Sequence, residues 1–194
     1  MTRHRPGDEG FTLVEVMVAT AILGVVLALV FSALNGGVRQ AADAQSRAQV
    51  EADVRSTTEA FVRDLRQAYT GDPTLNRIET MTATTITFYS PDRLTPYHLR
   101  KISYKLSGTD LQRSITTSSD TDGYPWTFGT AGAYGTQLRS VRNTDLFTYR
   151  DADGDVTTSP TGVSIVDFKL TVDEDTTRTP AAYSSTTSVQ IRGS

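Results

Sequence analysis

The chain has 194 residues, a formal net charge of −3 and no cysteine. This length suits one modest domain with an anchor, and the lack of cysteine excludes disulfides and thiolate metal sites. The mild acidity gives no general reason to expect nucleic-acid binding. Hydrophobic residues make up an ordinary 38% of the sequence, but many of them lie in one block near the N-terminus.

Residues 1–10 have the character of a targeting segment. Its basic residues stand near its start, and Pro6, Gly7 and Gly10 discourage a helix. Basic residues before an apolar run are retained on the cytoplasmic side, so the C-terminal part is predicted to lie outside. No convincing small-residue cleavage site follows the apolar run, which is therefore predicted to stay in the mature protein.

An apolar stretch from Gly10 to Leu34 follows this leader, and its only charged residue is Glu15. As a helix it would be roughly 36 Å long, enough to cross a hydrocarbon core of about 30 Å. We therefore predict a membrane-spanning helix over residues 11–35.

The boundary of this stretch carries a specific motif. Residues 10–19 read GFTLVEVMVA, with a glycine, an aromatic residue and a glutamate four residues later. This motif resembles the cleavage and methylation signal of type IV prepilins and type II secretion pseudopilins. The resemblance implies that prepilin peptidase cuts between Gly10 and Phe11 and then N-methylates Phe11.

Glu15 is the expected assembly residue. A carboxylate inside a membrane helix costs a few kcal/mol, so it is usually functional and usually paired. Its natural partner is the ammonium created at Phe11 by cleavage, in the same chain or in a neighbour, because an ion pair in low dielectric is strongly attractive. In the alternative interpretation, Glu15 lies near enough to the interface to reach water and has no partner.

Residues 36–70 are predicted to form an amphipathic continuation of the helix. Apolar residues recur at three- and four-residue steps, as at Val54, Phe61 and Leu65, and charged residues fill the other faces. The Gly36-Gly37 pair predicts a kink or local melting point, or is an incidental flexible spot. Residues 64–68 resemble the end of this helix in J-type minor pseudopilins and W-type minor pilins.

The pattern changes to period two in residues 71–194, which we predict to form a β-sheet domain. Two alternating runs, 101–106 and 111–115, flank a turn-like gap and predict a hairpin. Later strands are predicted near 146–149, 164–172 and 187–191. The predicted fold class is therefore α+β and pilin-like, with a long N-terminal helix packed on an antiparallel sheet.

Two surface features invite a functional interpretation. Residues 117–136 form an insertion with four aromatic residues, which either bind a partner or, as we favour, pin the loop to its own domain. The run Asp151-Ala152-Asp153-Gly154-Asp155 offers closely spaced carboxylates. Asp151, Asp153 and Asp155 are weak calcium candidates, but the run lacks the glycine and glutamate positions of an EF-type loop and fits a hairpin turn better. Asp173-Glu174-Asp175 is a second acidic run, which also fits a turn better than a calcium site.

Catalysis finds no support in the sequence. There is no Gly-x-Ser-x-Gly elbow, and the histidines are His4 in the leader and His98 in a predicted strand. A lone strand histidine is usually structural. No cofactor is expected, and no aromatic-interleaved basic stripe indicates nucleic-acid binding.

Together these features predict a minor pilin or pseudopilin, a structural subunit of a type IV pilus or a type II secretion pseudopilus. The resemblance implies three kinds of partner: other pilins through the N-terminal helix, prepilin peptidase and an inner-membrane assembly platform. It also implies a single-pass inner-membrane protein with a cytoplasmic N-terminus and a periplasmic or extracellular domain. Two alternatives remain open, a pilin-like component of DNA uptake and an anchored adhesin or enzyme that is not assembled.

Overall fold

The computed structural model describes residues 12–173 and 182–191. Over these residues the chain forms one α-helix followed by antiparallel β-sheets, which confirms the predicted α+β pilin-like fold. The elements are α1 Leu13–Arg66, β1 Ile78–Met81, β2 Thr85–Pro91, β3 Leu99–Ser107, β4 Asp110–Thr117, β5 Gly135–Leu138, β6 Phe147–Arg150, β7 Ile165–Val172 and β8 Tyr183–Gln190.

The chain divides into two compact units, one ending at Ala48 and the other beginning at Gln49. Helix α1 is continuous through Gly36 and Gly37, so the local melting predicted at this pair is wrong. A kink there, and the predicted domain boundaries, stay predictions.

The part of α1 within the second unit buries the stripe that the sequence predicts. Val54, Phe61 and Leu65 are completely buried. The ring of Phe61 lies 5.2 Å from that of Tyr104 in β3 and 4.4 Å from that of Phe168 in β7. Phe61 therefore holds the two sheets and the helix together, since aromatic side chains bury large areas and favour such offset contacts.

The first sheet has five strands in the order β1-β2-β3-β4-β5. The predicted hairpin is β3–β4, with Ile102 opposite Ile115 and Leu106 opposite Leu111. Its two-residue loop begins with Gly108, whose φ of 62° suits the first position of a tight hairpin turn.

The second sheet has three strands in the order β6-β7-β8. The predicted antiparallel β domain is thus divided between two sheets, since the chain leaves the first sheet after β5 and starts a second. Along β7 the predicted alternation is confirmed, and its buried residues are Val166, Phe168, Leu170 and Val172. The inner faces of both sheets meet the same hydrophobic cluster as Phe61.

Candidate functional site

Helix α1 begins with a side-chain cap. The backbone N–H of Glu15 donates to the carbonyl oxygen of Thr12 at 3.0 Å and to its Oγ1 at 3.3 Å. Thr12 thus occupies the N-cap position, and Glu15 lies three residues later, the spacing of a capping box. This cap is not among the sequence-based predictions, although the Thr12-x-x-Glu15 spacing is a sequence signal for it.

Glu15 is the acidic residue of the first helical turn, and its side chain is exposed. A carboxylate at this position is stabilised by the positive end of the helix dipole, typically by about 0.3–1 kcal/mol at an exposed site. Glu15 therefore has a local role in its own helix and is still available to a partner. Gly10 and Phe11 lie outside the described residues, so cleavage, methylation and the ion pair stay predictions.

The segment of α1 from Leu13 to Val38 exposes an almost wholly apolar surface. Every described side chain from Leu13 to Val38 is exposed, and Glu15 is the only charged residue among them. By length and composition α1 could cross a membrane, and its most apolar window has no burial within the described structure. A helix that is hydrophobic on all sides needs lipid or other helices around it.

The polar group of Thr20 is satisfied inside this apolar surface. Its hydroxyl lies 3.0 Å from the carbonyl oxygens of both Val16 and Met17. A hydroxyl that bonds back to its own helix needs no water, as a hydrocarbon environment requires.

Comparison with known proteins gives one match to this segment. A family model described as the prokaryotic N-terminal methylation motif matches residues 5–31. The match contains Gly10, Phe11 and Glu15, and it supports a type IV pilin-like protein that is processed by prepilin peptidase. No curated protein matches the chain.

The motif and the exposed apolar helix together fit a single-pass membrane-anchored protein. The same motif favours a structural subunit over an enzyme. It supports methylation of the chain and assembly with other pilins, without distinguishing one machine from another.

The end of α1 is anchored by a buried ion pair. Asp64 Oδ2 accepts hydrogen bonds from Arg113 Nη2 at 2.7 Å, Arg113 Nε at 3.0 Å and the Tyr104 hydroxyl at 2.9 Å. Burial, reinforced by the charge of Asp64, raises the pKa of Tyr104 well above its ordinary value, so the hydroxyl stays a donor. From the sequence, residues 64–68 could be interpreted only by their resemblance to a pilin subfamily. The structure adds that Asp64 ties the helix to β3 and β4.

The acidic run at residues 151–155 forms a tight turn between β6 and β7. Asp151 Oδ1 accepts the backbone N–H groups of Asp153 at 3.0 Å and Asp155 at 2.9 Å. Arg150 Nη1 also donates to the Gly154 carbonyl at 3.0 Å. This geometry agrees with the favoured turn interpretation.

Among the described residues, no group of three acidic, histidine or cysteine residues is placed to hold a metal ion. Glu174 and Asp175 of the second acidic run lie outside the described residues. The absence of a cofactor stays a prediction, and Asp151, Asp153 and Asp155 stay weak calcium candidates.

Three of the four aromatic residues in the 117–136 insertion pin it to the domain. Trp126 Nε1 donates to the Thr70 carbonyl at 3.0 Å, and the ring of Phe128 lies 5.5 Å from that of Tyr89. The Tyr134 hydroxyl bonds Ser103 Oγ at 3.1 Å. Tyr124 differs, because 58% of it is exposed.

His98 lies directly before β3 and not within a strand. Its Nδ1 lies 3.1 Å from the Ser118 carbonyl, and its backbone N–H donates to Asp92 Oδ1 at 3.1 Å. These contacts give the histidine a structural role in joining two loops, as the sequence predicts.

Proposed function

We propose that the chain is a minor pilin or pseudopilin, processed by prepilin peptidase and assembled into a type IV pilus or a type II secretion pseudopilus. One observation carries the proposal: the methylation motif at residues 5–31 joins a polar leader to the exposed apolar segment of α1 from Leu13 to Val38, in which Glu15 is the one charged residue.

The apolar surface of α1 suits two successive environments. In the membrane, lipid covers the side chains from Leu13 to Val38. On assembly, neighbouring helices replace the lipid, and the Phe11 ammonium of one subunit pairs with a Glu15 carboxylate to set the register. An unpaired charge at this depth is costly, so the pair favours one stagger over others.

The proposed orientation of the chain in the membrane follows from the charge of the leader. Arg3 and Arg5 precede the apolar run, which keeps the leader on the cytoplasmic side and places the β domain in the periplasm or outside the cell. The inner-membrane assembly platform then extracts the subunit into the filament. Within the family, the resemblance of residues 64–68 supports assignment of the chain to the J-type minor pseudopilins or the W-type minor pilins.

Intact-mass analysis of the mature protein tests the processing step. We expect a chain that starts at N-methyl-phenylalanine 11, and we expect Gly10→Val to stay uncleaved. A mature protein that retains Met1, or one cut after residue 34, would contradict the proposal.

Deleting the protein and measuring secretion, motility and transformation in parallel identifies the machine. Loss of secretion alone favours a pseudopilin, and loss of motility favours a pilus subunit. A defect confined to transformation would favour the DNA-uptake alternative. No defect in any assay, together with normal filaments, would contradict an assembly role.

A further inference from the structure

The inner face of the second sheet is apolar along β7 but mostly small and polar along β8. Residues of β8 lie directly opposite the buried residues of β7, with Val189 opposite Val166, Thr187 opposite Phe168 and Ser185 opposite Leu170. Directly opposite residues share a face of the sheet. Of these inward β8 residues only Val189 is buried and apolar, so small polar side chains occupy positions that would otherwise extend the core.

A groove lies between α1 and β8 at these small residues. It consists of two adjoining clefts of about 490 Å³ and about 270 Å³, which share Thr58, Glu59 and Thr187. We call it the α1–β8 groove. All its lining residues belong to the second compact unit; on α1 they include Arg55, Thr58, Val62, Arg63 and Arg66, and on β8 Tyr183, Ser185 and Thr187.

The larger cleft presents positive charge without a counter-ion. Glu59 lies 3.5 Å from Arg55 in an ion pair. Among the described residues, no carboxylate lies within ion-pair distance of Arg63 or Arg66.

The turn at residues 151–155 has the complementary chemistry. Asp153 and Asp155 are exposed, and no cation pairs with either carboxylate in the part of the chain that the structure describes. The turn is held in one conformation by the Asp151 carboxylate and by Arg150. A prearranged acidic turn loses little freedom on binding, which favours association.

We propose that the α1–β8 groove of one copy of this chain binds the acidic turn at residues 151–155 of a second copy. The guanidinium groups of Arg63 and Arg66 bind the carboxylates of Asp153 and Asp155. The two surfaces differ, so the contact is heterologous and leaves one groove and one acidic turn of each pair free. It goes beyond the proposed function, because it joins the second compact unit of one copy to that of another and does not involve the apolar segment of α1 from Leu13 to Val38.

Disulfide trapping tests the contact, because the natural chain has no cysteine. Full-length Arg66→Cys and Asp153→Cys chains carrying different tags are purified in detergent, mixed and oxidised. We expect the mixed disulfide to form about tenfold more than with the control pair Arg139→Cys and Asp153→Cys, since Arg139 is exposed but does not line the groove. A yield equal to that of the control pair would overturn the proposal.

Charge exchange supplies a second test that does not depend on one variant folding well. Adding Arg63→Glu to the Arg66→Cys chain should reduce the trapped product about tenfold, and adding Asp155→Lys to its Asp153→Cys partner should restore it. Arg93→Glu in the first chain is the matched control and should change nothing. Failure of the exchanged pair to recover would refute the assigned contact.

These outcomes are separate from those for the proposed function, since trapping needs neither peptidase nor assembly machinery. Trapping without cleavage at Gly10 would contradict the proposed function alone. Normal cleavage and assembly without trapping would contradict this contact alone.

Discussion

Thr12 Oγ1 lies 3.3 Å from the backbone nitrogen of Glu15, so the residue expected to guide assembly is also the third residue of a capped helix. The cap orders the start of α1 directly after the predicted cleavage point. It fixes the first turn, and thus the direction in which the Glu15 carboxylate leaves the helix. The local and the intermolecular role of Glu15 can be separated by substitution.

Replacing Glu15 by Gln should keep the capping geometry, since glutamine also serves at this position of a capping box, but remove the charge. We expect Glu15→Gln and Glu15→Ala to insert in the membrane and to be strongly impaired in filament incorporation. Thr12→Ala keeps the carboxylate and loses a cap worth about 1 kcal/mol, so its incorporation should fall much less. Quantifying each variant in membranes and in sheared filaments measures this. Normal incorporation of Glu15→Gln would contradict the pairing role.

Phe61 lies in the hydrophobic core of the second unit. It is fully buried and contacts aromatic rings from both sheets. We expect Phe61→Ala to lower the free energy of unfolding by about 3–5 kcal/mol, because the remaining side chains cannot fill the cavity. Denaturant unfolding followed by tryptophan fluorescence measures the loss. Val156→Ala, at an exposed site, is the control and should change stability by less than about 0.5 kcal/mol. Equal effects of the two substitutions would contradict this account of the core.

The Asp64–Arg113 pair should be costly to break from one side. Arg113→Ala leaves the Asp64 carboxylate buried without its cation, and we expect a loss of about 3–5 kcal/mol. Tyr104→Phe removes one hydrogen bond to the same oxygen and should cost less, about 1.5–3 kcal/mol. The exposed pair of Lys169 and Asp145, 3.4 Å apart, serves as the control, and Lys169→Ala should cost at most about 1 kcal/mol. If Arg113→Ala proved as mild as Lys169→Ala, the anchoring role would be wrong.

Much of this architecture could be predicted from the sequence. The alternation in β7 and the spacing of Val54, Phe61 and Leu65 identified buried faces, because one side of each element is apolar. By contrast, β5 was missed since three of its four residues are exposed and it shows no alternation. The four-residue β1 also passed unnoticed, in part because a register shift interrupts its pairing.

In the candidate site, too, local features could be predicted from the sequence and contacts between distant residues could not. The processing motif at Gly10 and Phe11 is local, so the sequence alone could reveal it. The partner of Asp64 is Arg113, 49 positions away, and no local pattern could join them. The α1–β8 groove depends on which β8 residues face inward, and that became known only with the β7–β8 register.

Calorimetry on the full-length protein in detergent tests the turn at residues 151–155 for calcium. We expect no binding heat at millimolar calcium, because Asp151 Oδ1 already accepts two backbone N–H groups that hold the turn. Asp151→Ala should loosen the turn, and Asp153→Asn is the matched control that preserves it. Saturable heat that Asp153→Asn abolishes would show a calcium site and contradict this expectation.

Asp167 should make the second sheet sensitive to acid. Burial alone raises the pKa of this carboxyl, but hydrogen bonds from Ser188 at 2.6 Å and Arg150 at 2.7 Å outweigh it and hold the pKa below its ordinary value. A group with a lowered pKa in the folded state stabilises the fold above its unfolded pKa of about 3.9, and that stability is lost as the pH falls through the lower folded value. We therefore expect Asp167→Asn to reduce the thermal midpoint at neutral pH and to flatten its decline below about pH 4. The thermal midpoint of Ser188→Ala should lie between those of the natural protein and Asp167→Asn, since this substitution removes one of the two hydrogen bonds to Asp167. Midpoints measured from neutral to strongly acidic pH give the comparison, and parallel curves for the natural protein and Asp167→Asn would show that Asp167 does not link folding to pH.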